Sequence, residues 1–80
     1  KCLQLAFDAI RKGGNMSCIV NAANEIVNAG FRKGECGFLQ MANIIEETMA
    51  KATFDSNPDL DVYLQTDAEA RRIATELMHK

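Results

Sequence analysis

Two stripes at helical spacing run through Ile19-Val20-Asn21-Ala22-Ala23-Asn24-Glu25-Ile26-Val27-Asn28-Ala29-Gly30, and together they commit this stretch to a two-faced helix. Ile19, Ala22, Ala23, Ile26 and Val27 recur at i, i+3, i+4, i+7 and i+8, which winds them onto one apolar face. Asn21, Asn24, Glu25 and Asn28 share the opposite face. Asparagine is a weak helix former, up to about 0.7 kcal/mol worse than alanine, so three of them oppose the helix by roughly 2 kcal/mol. Their amides, each with two donors and an acceptor, either remain in water or hydrogen-bond a neighbouring surface.

Three more segments carry the same periodicity. From about Lys1 to Lys12, Leu3, Ala6, Phe7 and Ile10 line one face, Arg11 and Lys12 complement the negative end, and Gly13-Gly14 stops the helix. The second helix is expected to start with Ser17 as N-cap and to end at Gly30. In the third, about Leu39 to Ala52, Met41, Ala42, Ile45, Met49 and Ala52 face inward, with Glu47 and Lys51 paired outside. The fourth opens on Thr66-Asp67-Ala68-Glu69, which matches the capping box. Ala70, Ile73, Ala74 and Leu77 follow as its buried face, with Asp67–Arg71 and Arg72–Glu76 pairs outside. Leu60, Val62, Tyr63 and Leu64 form a short apolar patch, about one helical turn, suited to covering an open core. The fold class is therefore all-α, a small bundle of about four helices.

Eighty residues make one small domain, which buries only about 60% of the surface its unfolded chain exposes and is marginal alone. A formal charge of −2 with both signs interspersed leaves no clustered Lys and Arg for nucleic acid or an anionic membrane. A helix-turn-helix reader would need a basic recognition helix, which is missing. No run approaches the roughly 18 apolar residues of a membrane span, and no secretory leader pattern opens the chain. The expected location is cytoplasmic. A start at Lys1 rather than Met is what a piece of a longer protein would show.

Chemistry is sparse. Cys2, Cys18 and Cys36 form no Cys-x-x-Cys pair and stand far from the lone His79, so no four-ligand zinc site arises. Cys2 and Cys18 suit a place in or beside a core, whereas Cys36, between Gly34 and Gly37, is expected to be exposed. Asn15-Met16-Ser17 fits a glycosylation sequon that has no meaning in a cytosolic protein. The glycines near Arg32 to Gly37 match neither a Walker loop nor a dinucleotide loop. In Asp55-Ser56-Asn57-Pro58-Asp59 the alternating oxygen-bearing side chains of Asp55, Asn57 and Asp59 suggest an EF-hand, but its sixth and twelfth positions hold Leu60 and Thr66, so this is a turn. No acid–base pair or activated nucleophile can be assembled. No catalytic, cofactor-binding or metal-binding residue is assigned, and Asn21, Asn24, Glu25 and Asn28 are the candidate contact site.

Cys2-Leu3-Gln4-Leu5-Ala6, Asn21-Ala22-Ala23-Asn24-Glu25-Ile26, Phe38 with the Met41 to Ile45 helix, and Asp67-Ala68-Glu69-Ala70-Arg71 together resemble the C-terminal part of the 1-deoxy-D-xylulose 5-phosphate reductoisomerase family. The order and approximate spacing agree along essentially the whole chain. The resemblance implies a bacterial oxidoreductase of the methylerythritol phosphate route to isoprenoids that needs NADPH and a divalent cation, magnesium or manganese. It also implies a homodimeric parent built from a dinucleotide-binding domain, a central catalytic domain and a C-terminal helical bundle. Residues 1–80 match only the bundle. No metal ligand or nucleotide loop of the family can be carried onto these positions, and the isolated piece is expected to be inactive. Its partner would be the catalytic domain of the same chain. The competing reading is an independent helical protein-interaction module, whose upstream sequence would lack a glycine-rich nucleotide loop and an acidic metal site.

Overall fold

A computed structural model of the chain describes residues 2–79, and the Cys2 side chain, expected in or beside a core, lies outside what it describes. Four helices follow one another: α1 (Cys2–Lys12), α2 (Met16–Arg32), α3 (Phe38–Lys51) and α4 (Leu60–Met78). No strand occurs among the described residues. The molecule is 17 Å thick along its shortest axis, which accommodates two helix layers. Helix α2 is the shared partner: it packs most extensively on α4, then on α3, and α1 rests on α2 and an edge of α3.

The apolar face expected of α2 is the centre of the core. Ile19, Ala22, Ala23 and Val27 are wholly buried and Ile26 is partly so. Opposite them, Ala70 and Ala74 of α4 are also wholly buried, with Ile73 beside them and Leu77 packed at the edge. Small side chains on both helices let their axes approach closely. Gly30 belongs to this seam. It does not end the helix as expected; it is buried within the last turn, where an added Cβ would overlap the Met78 sulfur. The helix stops at Arg32, and the left-handed residue is Gly34, with φ +78°. The Gly34 N–H donates to Phe31 O and the Glu35 N–H to Gly30 O, the paired bonds of a Schellman ending. That reversal tucks Cys36 beneath Gly30, so Cys36 is buried rather than exposed.

Helix α1 turns a different face inward from the one its periodicity suggests. Leu5 and Ala9 are buried, whereas Leu3, Phe7 and Ile10 are 70%, 52% and 69% exposed. The helix carries more apolar residues than one face holds. Close contact with Ile19 and Ala22 selects the ridge containing the small Ala9. In α3 the buried positions are Ile44, Ile45 and Thr48, with Met41, Ala42 and Met49 at the margin and Ala52 buried just past the end. Thr48 tolerates burial because its hydroxyl donates to Ile44 O at 2.7 Å.

The helix starts at Ser17 and Thr66 are both overturned, for one reason. Asn15, wholly buried, stands at the N-cap of α2, but its side chain does not cap. Its Nδ2 donates to Thr53 O at 2.9 Å and to Thr66 Oγ1 at 2.8 Å, and its Oδ1 accepts from the Asp55 N–H at 2.8 Å. Thr66 is accordingly spent on Asn15, and Glu69 accepts from the Thr53 N–H and hydroxyl at 2.6 and 3.2 Å. Helix α4 begins instead at Leu60, where Asp59 accepts from the Val62 N–H at 2.9 Å. Leu60, Tyr63 and Leu64 thereby join the helix but cover no core, being 73%, 41% and 62% exposed. The turn before them is formed as expected, with Asp55 Oδ1 accepting from the Asn57 N–H.

Replacing Asn15 by alanine leaves the Thr66 hydroxyl, the Thr53 carbonyl and the Asp55 amide without their partner in a buried setting, and should destabilise the domain by about 2–4 kcal/mol. Thermal unfolding followed by circular dichroism reads this directly, and an unchanged midpoint would show that water replaces the amide. Gly13 and Gly14 both have positive φ, but an added Cβ meets nothing at Gly13 and the Asp55 carbonyl oxygen at Gly14. Gly13→Ala should therefore cost about 1 kcal/mol from backbone strain alone, and Gly14→Ala distinctly more.

Candidate functional site

The polar face of α2 is built by the same winding that buries Ile19 and Val27. Asn21, Asn24 and Glu25 are exposed and Asn28 is half-buried. Much of their hydrogen-bonding capacity is already used within the domain. Asn21 Nδ2 donates to Glu25 Oε2 at 3.2 Å; Asn28 Nδ2 donates to Asn24 O at 2.7 Å and to Asn24 Oδ1 at 3.0 Å. Glu25 Oε1 also accepts from Arg71 Nη2 at 2.7 Å, while Arg71 Nε reaches Asp67 Oδ2 at 2.9 Å. The sequence shows the Asp67–Arg71 pair but not the contact with Glu25, which lies 46 residues away and carries no local signal.

Those carboxylates raise the Arg71 pKa above its ordinary value, chiefly because the guanidinium donates a hydrogen bond to Asp67 and then because it donates one to Glu25. With about a third of the Arg71 side chain in water, the pairs orient α2 and α4 more than they stabilise them. Half-buried Cys18 sits near the same group; burial pushes its thiol up, Asp67 adds to the rise, and Arg71 opposes it. Burial alone raises the Cys36 thiol. Both thiols are therefore held further from the reactive thiolate than a free cysteine. His79 Nε2 lies 3.5 Å from Glu35 Oε1 at the far end of α4. Among the described residues, no group of three or more His, Cys, Asp and Glu side chains is gathered that could hold a metal ion, and no helix is long and apolar enough to cross a membrane.

A groove of about 510 Å³ runs between α1 and α2, and it unites two features that are separate in the sequence. Its lining includes Leu3, Ala6 and Ile10 from α1, Ser17, Val20, Asn21 and Asn24 from α2, and Ile45 from its floor. Asn24, Glu25 and Asn28 border a second hollow, beside Arg32 and Arg71. Asn24 thus stands between the two surfaces, with Asn21 on one and Glu25 and Asn28 on the other. What the groove offers chemically is apolar area with two side-chain amides at one edge.

The described residues form a small all-helical domain with a groove between its first two helices. The pattern defining the DXP reductoisomerase C-terminal domain matches residues 1–73, and the chain belongs to that family. It is 54% identical over 78 residues to the 1-deoxy-D-xylulose 5-phosphate reductoisomerase of Bacteroides fragilis, covering 98% of this chain and 20% of that protein. The enzyme of the same name from Bacteroides thetaiotaomicron is 55% identical over 76 residues, and that from Listeria monocytogenes 43% over 76, each covering 95% of this chain. The chain spans about a fifth of the length of these relatives.

Substitution of Asn24 by alanine separates the two fates of the polar stripe. It improves helix propensity by a few tenths of a kcal/mol, so the isolated domain should melt slightly higher, whereas a partner left unsatisfied in the full-length protein would cost about 1–3 kcal/mol. Opposite shifts in the two melting points are expected; the same small rise in both would assign the stripe to water.

Proposed function

We propose that the full-length protein carrying this domain is the reductoisomerase that rearranges and reduces 1-deoxy-D-xylulose 5-phosphate on the route to isoprenoids, using NADPH and a divalent cation, magnesium or manganese. The observation that carries this reading is 54% identity sustained across 98% of the chain. Residues 1–80 then form one C-terminal helical domain that buttresses the catalytic domain of the same polypeptide, in a homodimeric, cytoplasmic bacterial enzyme. Asn21, Asn24, Glu25 and Asn28 are the interdomain contacts this reading assigns.

This reading seats neither the nucleotide nor the cation on the described residues. The glycines make no dinucleotide loop, and the described carboxylates, thiols and imidazole are not gathered into a metal-binding group. On this reading both are held by the rest of the enzyme, and this domain supplies no reacting group. Its contribution is positional: a catalytic constellation misplaced by about 1 Å can lose on the order of a hundredfold in rate, so a rigid support far from the chemistry matters to turnover.

The test is substrate-dependent oxidation of NADPH by the purified full-length protein with magnesium or manganese. Turnover that a chelator abolishes is expected. No turnover, together with an upstream sequence lacking a glycine-rich nucleotide loop and an acidic metal site, would instead assign the domain to an independent interaction module.

A further inference from the structure

We propose that the groove between α1 and α2, with the apolar ridge along its α1 edge, is the seat of the upstream part of the same polypeptide, received on Leu3 and Ile10 inside the groove and Phe7 beside it, and fixed in register by Asn21 and Asn24. This inference rests on the reading of the chain as the C-terminal domain of a longer protein, and it narrows the contact surface to one face.

Three observations select this face and this occupant. First, α1 leaves its larger apolar side chains outside: Leu3, Phe7 and Ile10 are all more than half exposed, while Leu5 and Ala9 are buried. A contiguous apolar surface at helical spacing on an 11-residue helix is a contact surface awaiting cover. Second, the ridge borders a concavity, floored by Val20 and Ile45, whose opposite edge holds Asn21 and Asn24. Among the described residues Asn24 uses its side-chain oxygen and backbone carbonyl for Asn28, and Asn21 uses its nitrogen for Glu25. The Asn24 side-chain nitrogen and the Asn21 side-chain oxygen remain for a partner, one donor and one acceptor at the rim of an apolar floor. The asparagines that oppose the helix thus have a use where they stand.

The third observation names the occupant. The relatives are about five times as long as this chain, and a C-terminal domain has the rest of its polypeptide upstream. That polypeptide joins at the start of α1, beside Leu3, which lines the groove. A segment tethered there reaches the groove within a few residues, and short tethers give effective concentrations in the millimolar range, far above what a second copy supplies in solution. Leu39 and Leu60, 85% and 73% exposed, line no part of this groove and serve as internal references.

Hydroxyl-radical footprinting of the unmodified full-length protein, read by mass spectrometry, tests the assignment without any variant. Leu3, Phe7 and Ile10 should be oxidised at about one fifth or less of the rate of Leu39 and Leu60, as expected for side chains at the dry centre of an interface. Oxidation of all five at similar rates would overturn the proposal. So would protection that disappears on dilution, which would give the groove to a second copy. Because turnover is measured separately, an active enzyme with an oxidised ridge would remove this docking face and leave the functional reading intact, whereas a protected ridge in an inactive protein would do the reverse.

Discussion

The bundle depends on how closely α2 and α4 approach. Ala22, Ala23 and Gly30 on one helix and Ala70 and Ala74 on the other put almost no side chain between the axes, and every other element is arranged around that seam. Larger residues there would push the helices apart and open voids that Ile19, Val27 and Ile45, all nearly or wholly buried, could not fill without leaving their rotamers. Gly30 shows the constraint most directly, since the Met78 side chain occupies the space a Cβ would need. Met78 is flexible and sits in the last turn of α4, so this contact can adjust where a backbone contact could not.

One end of the seam is locked by polar rather than apolar means. The Asn15 side chain joins the α1–α2 corner, the loop after α3 and the middle of α4 by three hydrogen bonds. In a low-dielectric setting such a satisfied amide is specific: sliding α4 by one residue would break the Asn15–Thr66 and the Thr53–Glu69 hydrogen bonds together. The Gly14 close approach and the Asp55 backbone pairing with Asn15 set the loop at the same point. Surface ion pairs such as Glu47–Lys51 and Arg72–Glu76 have both partners at least half exposed and add little to this.

Burial raises both thiols, and among the described residues no His, Cys, Asp and Glu side chains are gathered that could hold a metal ion. The chain belongs to the DXP reductoisomerase C-terminal domain family, and it spans about a fifth of the length of the relatives it matches.

The sequence by itself determined the four helices, the buried stripe of α2, the buried face of α4 and the all-α class, because each follows from periodicity within one segment. The outward polar set Asn21, Asn24, Glu25 and Asn28 was legible for the same reason. Tertiary structure alone decided which ridge of α1 faces inward, since Leu5-Ala9 and Leu3-Phe7-Ile10 are both apolar and only the space left by Ile19 and Ala22 chooses between them. It also reassigned Gly30, Cys36, Thr66 and Glu69, whose local signals for a helix end, an exposed thiol and a capping box were outweighed by partners in other segments. Spacing within a helix records which residues share a face; it holds no record of what that face meets, because a packing partner far away in the chain leaves no local trace.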